Sequence, residues 1–102
     1  MKKVKPIVTR TAAELAEAFG LSPVDAAEIE MRSILNDQII KIFDRSRLTH
    51  AQLAKAAKTS RSRITAILNR NMHQVSTDLL LRILAALGYR ARVTVQRIPR
   101  AA

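Results

Sequence analysis

Apolar residues along the middle of the chain recur at helical spacing in blocks, and the blocks are fenced by capping residues. Ser22 stands as an N-cap and Pro23 at the first helical position, after which Ala27, Met31, Leu35, Ile39, Ile42 and Phe43 follow at intervals of three and four. The pattern predicts an amphipathic helix from Pro23 to about Asp44, with its acids mostly off the apolar stripe. In "LTHAQLAKAAK", Thr49 and Gln52 make a capping box, and Leu53, Ala54 and Ala57 give a small apolar face to a helix from His50 to Ala57. Three residues later Ser60 caps a helix from Arg61 to about Asn69, whose inward side is Ile64, Ile67 and Leu68. Two short helices joined by so tight a turn cross steeply, and the small Ala54 and Ala57 allow the contact. "VSTDLLLRILAALG" adds a helix capped by Ser76 or Thr77, with Leu80, Ile83, Leu84 and Leu87 on one face and Gly88 as its stop. Upstream, Thr11 and Glu14 form another capping box for a short helix ending at Gly20.

The period then changes from 3.6 to 2: Tyr89, Ala91, Val93 and Val95 alternate with Arg90, Arg92, Thr94 and Gln96. This is the pattern of a half-buried strand, whose backbone needs a ladder partner. "VKPIVTR" near the N-terminus is one candidate, limited to an edge by Pro6. The favoured alternative pairs two copies of residues 89 to 98 across a two-fold axis, with Ala91, Val93 and Val95 as the dimer strand. The expected organisation is an N-terminal arm with a short helix (1–21), a helical domain (22–88) and a C-terminal strand and tail used for dimerisation (89–102).

Length and charge narrow the function. At 102 residues the chain makes one small domain with a modest core. Its net charge of +10 is unevenly spread: residues 1–13 are basic, 14–44 carry a net charge of −5, and 45–102 hold twelve Lys or Arg against Asp78 alone. An acidic helical segment thus adjoins a strongly basic module, the footprint of a nucleic-acid binder. The chain has no cysteine, which excludes disulfides and thiolate metal sites and points to a reducing cytoplasm. Two separated histidines offer no metal site, no cofactor motif is present, and neither a signal-type h-region nor a membrane-length apolar run is expected. No carboxylate pair or nucleophile–base set has recognisable spacing, so an enzyme is not expected.

Helix, tight turn and helix, followed by a further core helix, is the helix-turn-helix order. "LTHAQLAKAAKTSRSRITAILNRN" resembles the helix-turn-helix of the XRE/Cro family of phage-repressor-like regulators. With "VSTDLLLRILAALGYRARVTV" after it, the chain is similar to the short XRE proteins that include antitoxins of the HigA type, over roughly residues 22–96. The fold class this implies is mainly α: a lambda-repressor-like bundle of about five helices with one C-terminal β-strand. The sequence departs from the family pattern at His50, where Gln is common, and at Lys58 and Arg70, where Gly is usual. Lys58 is therefore expected in a strained left-handed conformation.

The resemblance implies that the second motif helix lies in the major groove of double-stranded DNA. Carried over by position, Arg61, Ser62, Thr65 and Ala66 read bases, with Arg61 suited to guanine O6 and N7 and Ala66 to a thymine methyl. His50, Ser60, Arg63, Asn69 and Asn71 fall at phosphate-contacting positions. Ser60 and Thr49 act first as N-caps, and His73 reads as a loop residue. The expected function is a dimeric sequence-specific repressor, and the resemblance adds a small ribonuclease toxin as a partner. The alternatives are a non-specific nucleoid-type protein and a toxin-neutralising protein with secondary DNA binding.

Overall fold

The computed structural model describes residues 19–20 and 22–98. Four helices follow in order: α1 (Pro23–Arg45), α2 (His50–Ala57), α3 (Arg61–Leu68) and α4 (Thr77–Ala86). Their starts coincide with the capping chemistry in the sequence. Ser22 accepts from the Asp25 N–H while the Asp25 carboxylate accepts from the Ser22 N–H, and Pro23 occupies the first turn, where no N–H is needed. Thr49 and Gln52 close the same reciprocal box on α2, and Ser60 and Ser76 cap α3 and α4 through the Arg63 and Leu79 N–H groups.

The long α1 is the platform on which the others assemble. It lies along α4 and reaches α3, while α2 packs on both α3 and α4. One core results, centred on Ile39, Leu53, Ile64, Ile67, Leu80 and Ile83, each essentially sealed from solvent. Each such side chain contributes about 1.5–3 kcal/mol relative to exposure. Ala54 and Ala57 are buried at the crossing of α2 with its neighbours, where larger side chains would hold the helices apart.

Three expectations are corrected or bounded. The apolar stripe of α1 is buried only in its C-terminal half: Leu35, Ile39 and Ile42 enter the core, whereas Ala27 and Met31 remain exposed. They line an open groove between α1, α4 and residues 89–94 instead of meeting a covering element. Residues 89–98 form no strand within the single chain; Arg90 to Ile98 make no backbone hydrogen bond to the described residues. The alternation is intact, but a ladder requires a second strand, and none is offered among the described residues. The fold thus shows four helices and no strand among those residues, where about five helices and one strand were expected; the short helix from Thr11 and the "VKPIVTR" segment lie outside them.

Candidate nucleic-acid interface

The motif is built outward from the turn between α2 and α3. Lys58 adopts φ 60° and ψ 51°, the left-handed conformation expected there. It lets the Thr59 N–H reach back to the Ala54 carbonyl (3.0 Å), closing α2 and releasing the chain to Ser60. Arg82 on α4 braces this turn from behind, donating from Nη1 to the carbonyls of Ala57 (3.1 Å) and Lys58 (3.2 Å). Its Nε lies 3.3 Å from Asp78 Oδ2, one turn earlier on α4, which aims the guanidinium at the carbonyls.

From Ser60 the eight residues of α3 divide cleanly. Ile64 and Ile67 are buried and Leu68 half-buried, while Arg61, Ser62 and Arg63 are exposed at the N-terminal end. Thr65 and Ala66 are half-buried one turn on, so Arg61, Ser62, Thr65 and Ala66 share the outer face at helical spacing. The Arg61 side chain makes no hydrogen bond or ion pair with the described residues. That leaves five guanidinium donors pointing out from a helix start whose own N–H groups favour anions.

The other predicted contacts are distributed unevenly. His50 is half-buried and its Nδ1 lies 2.7 Å from Thr65 Oγ1, while its ring meets Phe43 edge-on at 5.4 Å between centroids. His50 thereby joins the start of α2 to the middle of α3, and Thr65 is engaged with it. Ser60 caps α3 through Oγ and is exposed. Arg63, assigned to phosphate, donates from Nη1 to the Gln74 carbonyl at 2.9 Å and so ties α3 to the following loop. Asn69 ends α3 and Asn71 accepts from the His73 N–H at 3.2 Å; both are exposed.

Sequence periodicity did not disclose the residues that hold this face in place. Asn36 on α1 is only 3% exposed, and its Nδ2 donates to the Ile67 carbonyl at 3.0 Å, anchoring the last turn of α3. Arg32, one turn before it, donates to the Val75 and Met72 carbonyls and fixes the loop after α3. Arg70 pairs with Asp37 on α1. A polar residue set on the apolar stripe of a helix, as Asn36 is between Leu35 and Ile39, was the one available signal.

No group of His, Asp or Glu among the described residues is arranged to hold a metal ion, and no described helix is long and apolar enough to cross a membrane. No curated protein and no solved structure matches the chain. The profile of a helix-turn-helix domain family matches residues 15–96, which spans all four described helices and most of the tail. With a capped second helix presented outward on a braced turn, the chain belongs to this family of DNA-binding helix-turn-helix domains.

Proposed function

We propose that the protein is a sequence-specific repressor that binds an inverted repeat as a dimer, within the XRE group of regulators. The observation that carries this reading is the outer face of α3, where Arg61 stands exposed and without an internal partner beside Ser62, with Ala66 one turn on. Arg61 reads a guanine edge bidentately, Ser62 and Thr65 add hydroxyl contacts, and Ala66 meets a thymine methyl. His50, Ser60, Arg63, Asn69 and Asn71 set the helix on the backbone, His50 through its bond to Thr65 and Arg63 through the loop it holds.

Dimerisation supplies the ladder that the alternating tail lacks. Tyr89, Val93, Val95 and Ile98 are exposed, and the Arg90–Ile98 backbone is unpaired among the described residues. Pairing two copies through Ala91, Val93 and Val95 satisfies both. The two α3 helices then meet half-sites about 34 Å apart. The protein acts without catalysis or cofactor, in the cytoplasm. A second reading, neutralisation of a small basic ribonuclease toxin by the same chain as in HigA-type antitoxins, is favoured by the exposed acids Asp25, Glu28, Glu30 and Asp44 along α1.

Selection of bound sequences from a random duplex library at about 150 mM salt tests the reading, because non-specific electrostatic binding is already weak there. A palindromic consensus is expected, and Arg61→Ala should lose about 1–3 kcal/mol on it and relax one position. No enrichment would replace the repressor by a non-specific nucleoid-type binder. Co-purification of a basic protein encoded beside it would support the antitoxin role.

A further inference from the structure

Three helices of this chain end in the same way. Past α2, α3 and α4, the residues Lys58, Arg70 and Gly88 take positive φ of 60°, 64° and 89°. Each end is closed by the same two backbone hydrogen bonds. Thr59 donates to Ala54 (3.0 Å) and Lys58 to Lys55 (3.3 Å); Asn71 to Ala66 (2.8 Å) and Arg70 to Ile67 (2.9 Å); Tyr89 to Leu84 (2.9 Å) and Gly88 to Ala85 (2.9 Å). This closure favours glycine, because a Cβ in the left-handed region crowds the following carbonyl. The chain uses glycine at the end of α4. At the two ends that bracket α3 it carries a lysine and an arginine instead.

From this contrast we infer that Lys58 and Arg70 are DNA-backbone anchors, one beyond each end of the recognition helix, held in the left-handed conformation for the charge they bring. The inference rests on α3 lying in the major groove. An eight-residue helix is about 12 Å long, so cations just past its two ends stand clear of the base-reading face, with long side chains that can reach the phosphates flanking the groove. Lys58 is exposed, and its side chain makes no ion pair with the described residues. Arg70 is exposed too, and its one ion pair, to the half-exposed Asp37, orders the guanidinium while leaving other donors free. Backbone strain at a functional position is a known trade of stability for binding, and of the non-glycine residues with positive φ, Lys58, Arg70 and Gln74, the two at the helix ends that bracket α3 are the cationic ones.

The test is the salt dependence of binding by full-length protein, measured by fluorescence anisotropy on the selected operator and on an unrelated duplex, together with Tm. Lys58→Gly and Arg70→Gly relieve the backbone, so Tm should hold or rise. Each should flatten the slope of log K against log salt by about 0.9 on both duplexes, the value expected when one phosphate is no longer neutralised. Lys58→Arg should keep the wild-type slope, and Lys41→Ala, on exposed α1, should leave it unchanged. An unchanged slope in a glycine variant overturns the assignment of that residue. An equal flattening in Lys41→Ala reduces both to bulk charge. Absence of any selected operator would defeat the base-reading proposal alone, since the slope on the unrelated duplex still decides the anchors.

Discussion

Replacing Asn36 separates the need for its shape from the need for its hydrogen. The side chain is buried and donates to the Ile67 carbonyl at 3.0 Å. That carbonyl also accepts from the Arg70 N–H at 2.9 Å, so losing the Asn36 donor does not orphan it. Asn36→Leu keeps the branched outline in a larger side chain, so it gives up about 1 kcal/mol of hydrogen bonding, recovers much of it as apolar burial, and adds some overpacking. Its stability should lie within about 2 kcal/mol of wild type. Asn36→Asp keeps the shape but sets a buried carboxylate against a carbonyl oxygen, while Arg32 and Arg70, which line the same hollow, are already engaged with the Met72 and Val75 carbonyls and with Asp37, at a cost of about 3–5 kcal/mol. For a chain of this size that is a large share of a total of roughly 5–15 kcal/mol, and Tm should fall by at least about 12 °C. The deficit has a sign in pH. Burial raises the folded-state pKa of the introduced carboxyl above its unfolded value of about 3.9, so the penalty is full above the folded pKa. It shrinks as pH falls toward the unfolded pKa, where the protonated group can donate to Ile67. Urea unfolding at pH 7 and near pH 4.5, each referred to wild type at the same pH, reads both effects. Equal stability of the Asp and Leu variants at pH 7 would refute the assignment of Asn36 as a buried donor.

Other perturbations test the remaining supports. Ala57→Leu overfills the crossing of α2 with its neighbours and should cost about 1–3 kcal/mol in urea unfolding, more than the same change at exposed Ala56. Arg82→Met removes both hydrogen bonds to the turn while keeping the apolar stem on α4. Operator affinity should drop several-fold while binding to unrelated duplex changes little; an equal loss on both would make Arg82 a simple contributor of charge. Val93→Asp, at a position 80% exposed in the single chain, should leave monomer stability within about 0.5 kcal/mol and abolish the dimer in sedimentation. A dimer that survives it places the interface elsewhere.

The helices were legible because their boundaries are local. Ser22–Pro23, Thr49 with Gln52, and Ser60 fix the starts of α1, α2 and α3 by contacts within one turn, and the structure begins each helix there. The left-handed Lys58 was legible from a different source, since it stands where the family that the motif resembles usually carries Gly. What was missed acts over distance. Asn36 to Ile67, Arg82 to Ala57 and Arg32 to Val75 join residues far apart in sequence, and periodicity carries no information on which carbonyl a side chain will meet. The phosphate assignment of Arg63 came from its place in the motif, which did not foresee the Gln74 carbonyl. The tail shows the same limit from the other side: alternation prescribes a strand's faces, whereas its partner is a property of the assembly.

The arginines of this fold are not interchangeable with lysines of equal charge. Arg32 and Arg82 each place one guanidinium across two backbone carbonyls, and Arg63 reaches the single carbonyl of Gln74. A planar fork on a long arm can do this with fixed directions, whereas an ammonium is a single strongly hydrated point. A chain with these three positions changed to lysine would keep its net charge, its isoelectric character and its attraction to any polyanion. It would lose the struts that hold the turn and the loop on either side of α3, and so would remain sticky to DNA while becoming illiterate in it.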